Sequence, residues 1–255
     1  MNAASTDHDL RFSGAAESLG LPAGIRACLF DLDGVLTQTA QLHAEAWKET
    51  FDSFLRARGA STHRPLVPFD PILDYERYVD GRPRDDGVRE FLGARGIDPD
   101  AATVTVLGDR KNARVLELIR QRGLKPYEGS VRYVQAVRDA GLRRAVVSAS
   151  ANCAAALQAA SLTDLFEVRI DAARAGKEHL RGKPAPDTFL AAAGALGVEP
   201  ANAAVFEDAL AGVAAGRAGC FGFVVGVDRT GHADALRRAG ADLIVSDLSE
   251  LMERR

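Results

Sequence analysis

The sequence predicts an α/β fold, a doubly wound parallel sheet with an inserted α-helical cap domain. Three observations carry that expectation. A short apolar run, Arg26 to Phe30, stands alone near the start. Helical periodicity with no convincing strand follows it to about Tyr127. From Glu128 onward strands and helices alternate, which implies right-handed crossovers and a parallel sheet with helices on both faces. The expected division is a flexible leader over 1–24, a core built from 25–37 and 128–255, and a cap over 38–127.

The leader, MNAASTDHDLRFSGAAESLG, is rich in Ala, Ser and Gly and has no basic start followed by an apolar core, so it does not read as a secretory signal. Arg26 to Phe30 reads as a buried strand ending on Asp31. In AQLHAEAWKETFDSFLRARG, Leu42, Trp47, Phe51, Phe54 and Leu55 fall on one helical face, and Gly59 is the expected stop. The stretch THRPLVPFDPILDYERYVDGRPR holds four prolines and reads as an irregular loop. VREFLGARG and NARVLELIRQRG are further amphipathic helices.

Beyond the insert, SVRYVQAVRDAG is a helix with Ser130 as its expected cap and Gly141 past its end. LRRAVVS, EVRI, AAVFED, FGFVVGV and DLIVS are strands. Between them lie the helices ANCAAALQAAS, PDTFLAAAGALG (stopped by Gly197), ALAGVAAGRAG and ADALRRAG.

The 255 residues are 47% hydrophobic and 26% charged, ordinary for a globular protein. A net charge of -3 with no basic run gives no reason to expect a nucleic-acid partner. No apolar run approaches a bilayer span, so no membrane partner is expected. Cys28, Cys153 and Cys220 are far apart with no C-x-x-C, so neither a zinc site nor a disulfide framework is indicated, and a cytoplasmic location is the simplest.

Ligands of open parallel sheets bind at the carboxyl ends of the strands. There the sequence places Asp31, Ser148 with Ser150 just after it, and Glu207-Asp208, with Lys183 in the loop RGKPAPD. Two carboxylates two positions apart in FDLDGVLT are costly at the end of a buried strand unless a cation offsets them. A calcium loop is excluded because Val35 stands where an oxygen ligand would be required.

FDLDGVLT, VVSAS, GKPAPD and VFEDALAG, in that order, resemble the haloacid dehalogenase superfamily in its phosphate-transferring branch. The likeness covers nearly all of the chain beyond the leader and places the insert where that family has its cap, on a Rossmann-like core. Thr39, His43, Trp47, VDGRPR, DRKN and SASAN narrow the resemblance to the β-phosphoglucomutases and their hydrolase relatives.

The resemblance implies roles. Asp31 corresponds to a nucleophile that forms an aspartyl-phosphate, and Asp33 to the general acid/base. Mg²⁺ is the implied cofactor, held by Asp31, the main-chain carbonyl of Asp33 and Asp208, with Glu207 close behind. Lys183 and Ser148, with Ala149, form the implied phosphate clamp. Arg84, Ser150 and Asn152 are suited to a second phosphate, Lys111 and Asn112 to sugar hydroxyls beside Trp47. Thr39 and His43 resemble hinge residues that hold Asp33 out of line until the cap shuts. Each also has an ordinary reading: a solvated strand-end acid for Asp31, a turn residue for Asp33, a turn hydroxyl for Ser148, a solvated arginine or lysine for Arg84 and Lys183, a helix-surface histidine for His43.

Ala151 and Asp80 depart from the family, since both positions often carry lysine there. The loss of positive charge leaves three alternatives open: a mutase acting on β-glucose 1-phosphate through a 1,6-bisphosphate, a phosphatase of small sugar phosphates, and an inactive binding module. A small sugar phosphate is the expected partner and a monomer the expected state.

Overall fold

β1 (Ala27–Phe30) is apolar on every side chain because it occupies the middle of the sheet, with all four residues buried. The structure, a computed structural model, describes residues 14–62 and 66–253. β1 is flanked by β2 (Arg143–Val147) and β4 (Ala203–Glu207), and the order is β3-β2-β1-β4-β5-β6, parallel throughout. The outer strands are β3 (Val168–Ile170), β5 (Phe223–Val227) and β6 (Leu243–Val245). Side chains alternate across β1: Cys28 and Phe30 enter one apolar layer with Tyr133 and Phe206, Ala27 and Leu29 the other with Phe189 and Val213. The sequence order reverses at β1, so the carboxyl ends of β1, β2 and β4 open on one switch-point crevice.

The insert forms a helical cap with its own apolar centre. Trp47, Phe51, Phe69 and Phe91 pack together, with the rings of Phe51 and Phe91 centred 4.0 Å apart. The two long cap helices, Ala40–Thr62 and Ala101–Arg122, bury Leu42 and Ala46 against Val115 and Leu118. The chain crosses between cap and core twice, side by side. Gln38 N bonds to Lys125 O and Tyr127 N to Leu36 O, each at 2.9 Å.

Several elements differ from expectation. Residues 1–13 lie outside the described residues, but Ala16, Leu19 and Leu21 of the expected leader are buried in the core, and Tyr133 Oη donates to Leu19 O at 3.0 Å. The first cap helix runs past Gly59 to Thr62, since an interior glycine costs a helix only about 1 kcal/mol. The other long cap helix begins at Ala101, well before Asn112, because Asp100 caps it by accepting from Thr103 N at 2.7 Å. The proline-rich stretch holds a π-helical turn, Tyr75–Val79. Asp70 starts it by accepting from Ile72 N and Leu73 N, and the buried Phe69 and Val79 anchor it to the cap's aromatic centre. Ser130 caps nothing: its helix starts at Glu128, and its buried hydroxyl donates to Val35 O at 2.7 Å. Among the described residues no helix is long and apolar enough to cross a membrane.

Candidate active site

Three carboxylates meet at the crevice. Asp31 follows β1, Glu207 ends β4 and Asp208 comes next, and each presents an oxygen within 4.8 Å of the other two. All three are buried. Lys183, itself only 2% exposed, reaches in from its loop, pairs with Asp31 and Glu207, and donates to Val147 O at 3.1 Å. A buried ammonium so placed stabilises the anions it touches, and removal of either side would leave uncompensated charge.

One ammonium does not balance three carboxylates. Burial pushes the Asp31 carboxyl well above the usual range, which the Lys183 cation opposes and Glu207 and Asp33 reinforce. Burial does the same to Asp208, and repulsion from Asp80, Asp31 and Glu207 adds to it. Burial would lower Lys183, but Asp31 and Glu207 outweigh it and hold the amine as an ammonium. The donor set is all oxygen, compact and deficient in positive charge, so it fits a hard divalent cation.

The backbone makes room for this cluster. Gly34 has φ +91°, and a Cβ there would lie 1.7 Å from Asp208 Oδ2. Gly212 faces Glu207 equally closely, at 1.8 Å from Oε1. The glycines of FDLDG and ALAG are therefore spatial requirements of the acids beside them.

Asp33 stands apart from the three clustered side chains. The Thr39 hydroxyl donates to Asp33 Oδ1, and Thr37 Oγ1 is 2.9 Å from that of Thr39. His43 Nε2 lies 3.6 Å from the same carboxylate oxygen, and Lys111 Nζ is 3.1 Å from His43 Nδ1. Burial pushes His43 down to about 4, and Lys111 adds to this while Asp33 opposes it. Burial lowers Lys111 to about 8, with Asp33 opposing and Arg84 contributing. A neutral imidazole thus accepts from the ammonium at Nδ1 and presents its Nε2 proton toward Asp33.

A cavity of about 250 Å³ lies over the acids between cap and core. It brings together Asp31, Asp33, Asp208, His43, Trp47, Arg84, Lys111, Asn112, Ala149, Ser150 and Asn152 from the expected set. Lys183, Glu207, Ser148 and Thr39 are buried and are not part of its lining. Ser148 Oγ accepts from Ser150 N at 3.1 Å, and Ser150 Oγ accepts from Asn152 N at the same distance. Asn152 Nδ2 donates to Asn112 Oδ1 at 2.8 Å, tying the core to the cap. Arg84 Nη1 donates to Gly108 O at 3.2 Å and stands 3.7 Å from Asp109. Trp47 stacks on Phe51 and offers its ring to Lys111 Nζ, 5.0 Å from the centroid.

Asp80, one of the two departures from the family, lines the cavity as an acid bonded to Tyr75, and burial together with Glu207 pushes it up to about 7. Sequence reasoning missed three other neighbours. Arg82 also lines the cavity. His232 sits against the main chain of Asp208, and Arg229 donates to Gly34 O at 3.2 Å while stacking on Tyr127. Membership of VDGRPR was the available signal for Arg82, whereas Arg229 and His232 sit in a loop with no motif of its own.

A family model described as haloacid dehalogenase-like hydrolase matches residues 25–219. A beta-phosphoglucomutase of Mycobacterium tuberculosis is 54% identical over 92% of this chain and 94% of its own length. A validoxylamine A 7'-phosphate phosphatase of Streptomyces hygroscopicus subsp. limoneus is 33% identical over 89% of this chain and 95% of its own. The solved beta-phosphoglucomutase of Clostridium difficile superposes with a TM-score of 0.72 at 27% identity, covering 89% of this chain and 93% of that one.

Proposed function

The chain belongs to the haloacid dehalogenase-like hydrolase family, and on that premise we propose that it is a magnesium-dependent mutase converting β-glucose 1-phosphate to glucose 6-phosphate through a bound 1,6-bisphosphate. The observation that carries this reading is the convergence of Asp31, Asp208, Glu207 and Lys183 beneath a cap-covered cavity, in a chain so similar to a mycobacterial beta-phosphoglucomutase.

Asp31 is the nucleophile. One of its carboxylate oxygens bonds to phosphorus as the bond to the donor sugar oxygen breaks, and Asp33 gives that oxygen a proton. In return, Asp33 takes the proton of the acceptor hydroxyl as it attacks phosphorus and the electron pair goes back to Asp31. Thr39 and His43 fix Asp33 for both halves. Lys183 and the Ser148 hydroxyl, whose proton is left free by the bond its oxygen accepts, suit the equatorial oxygens of the transferring group. Arg84, Ser150 and Asn152 hold the other phosphate, and Lys111 and Asn112 the sugar. Asp31, Asp208 and the Asp33 carbonyl, with Glu207 behind them, would hold Mg²⁺, which would supply the positive charge that lets an anionic carboxylate approach an anionic phosphate. The working state is a cytoplasmic monomer whose partner is a small sugar phosphate, with no role for nucleic acid or membrane.

A phosphatase is the second reading. Asp80 lines the cavity and Ala151 is exposed at its edge, both where positive charge would favour a bisphosphate, and a phosphatase is among the relatives. One assay separates the two. The protein is given Mg²⁺, β-glucose 1-phosphate and a trace of glucose 1,6-bisphosphate, and glucose 6-phosphate and free phosphate are measured separately. Glucose 6-phosphate in excess supports the mutase, and free phosphate alone rejects it.

A further inference from the structure

Glu76 belongs to the π-helical turn of the cap, and His232 to the core loop between β5 and the helix Ala233–Ala239. Their side chains meet: His232 Nδ1 is 2.5 Å from Glu76 Oε1. The other ring nitrogen lies 3.2 Å from the main-chain oxygen of Asp208. The imidazole therefore spans from the cap's π-helical turn to the backbone of the acid cluster.

The histidine is set there by its loop. Asp228 accepts main-chain bonds from Thr230, Gly231, His232 and Ala233, and Thr230 Oγ1 is 2.7 Å from His232 Nδ1. With side chains 15% and 25% exposed, the His232–Glu76 pair is screened less than a surface pair. Beside it lies a second cavity, of about 420 Å³, which shares Tyr75, Asp80 and Asp208 with the substrate cavity. Asp208 and Asp80 thus face both spaces while Asp31 faces the substrate cavity, and the turn that carries Glu76 lines the second space beside them.

We infer that Glu76 and His232 are positioning residues that latch the cap to the core beside Asp208, and that this latch governs how the phosphoryl group is divided between sugar and water. The inference rests on the aspartyl-phosphate reading of the site. In the hydrolytic branch a water oxygen bonds to phosphorus while the bond to Asp31 breaks with its electron pair returning to the carboxylate, and the water's proton passes to Asp33. A closed turn keeps water of the second cavity from that phosphorus, and a loosened one admits it.

The test uses the full-length enzyme with Mg²⁺, β-glucose 1-phosphate and glucose 1,6-bisphosphate, comparing wild type with Glu76→Gln, His232→Gln and the double variant. Free phosphate released per glucose 6-phosphate formed is expected to rise about five- to tenfold in each single variant and no further in the double, with Tm held. An unchanged ratio, or single effects that multiply in the double variant, overturns the latch. Wild-type enzyme that forms no glucose 6-phosphate rejects the mutase reading alone. The latch is then judged on the absolute rate of phosphate release, where a rise of the same size supports it and none overturns it. A variant that loses its cooperative melt is replaced by Glu76→Asp, which keeps the charge but shortens the reach and must shift the ratio in the same direction.

Discussion

Gly34 stands so close to Asp208 that a single methyl group on its α-carbon would sit 1.7 Å from Oδ2. Gly34→Ala must therefore push the carboxylate away from Asp31 or move the loop that follows it, and its φ of +91° disfavours any side chain besides. We expect at least a tenfold weaker requirement-defining Mg²⁺ affinity, read by calorimetric titration, with turnover falling in parallel. Wild-type Mg²⁺ binding in this variant would show that Asp208 does not hold the ion.

Lys183→Met leaves Asp31 and Glu207 facing one another without their ammonium. Breaking a buried pair from one side costs about 3 to 5 kcal/mol, so the urea midpoint should drop accordingly. High Mg²⁺ should restore part of the stability and none of the turnover.

Lys111 carries the pH prediction. Burial lowers it to about 8, so its charge is present below that pH and lost above it. If the cation binds substrate, KM rises above this pH, approaching about a tenfold rise per pH unit. Lys111→Arg should abolish the rise, and a basic limb that persists in it would assign the ionisation elsewhere. The stability effect runs oppositely. Between about 8 and the unfolded value of 10.5 the unfolded chain binds more protons, so this residue's contribution to stability increases with pH.

Arg84 faces the substrate cavity from the first turn of its helix. Arg84→Ala should raise the bisphosphate concentration needed for half-maximal mutase rate by tenfold or more, and alter hydrolysis of a one-phosphate substrate by less than about threefold. Equal losses in the two assays would remove Arg84 from the second-phosphate position.

The strand-end residues were legible because each follows an apolar run directly: Asp31 after ACLF, Ser148 after AVV, Glu207-Asp208 after AAVF. Lys111 was legible only through the resemblance, in DRKN, because the expected helix began after it; the structure sets it on the buried stripe of Val104, Leu107, Val115 and Leu118. The helical turn at Tyr75–Val79 was hidden because the prolines around it argue for a loop, while a local Asp70 cap and distant aromatic packing decide otherwise. Ser130 carried the chemistry of a cap, but a carbonyl far back in the chain, Val35 O, claims its hydroxyl. The pairing of Glu76 with His232 joins two segments far apart in the chain, and no periodicity or spacing encodes such a meeting.

The central position of β1 has a consequence for how the molecule is made. Both of its neighbours, β2 and β4, come after the whole cap in the chain. On the ribosome, the segment bearing Asp31 therefore emerges first and waits unpaired while the insert is synthesised. The cap, with its own aromatic nucleus, can consolidate during that interval, whereas the sheet closes around its oldest strand only when Ala203–Glu207 has appeared.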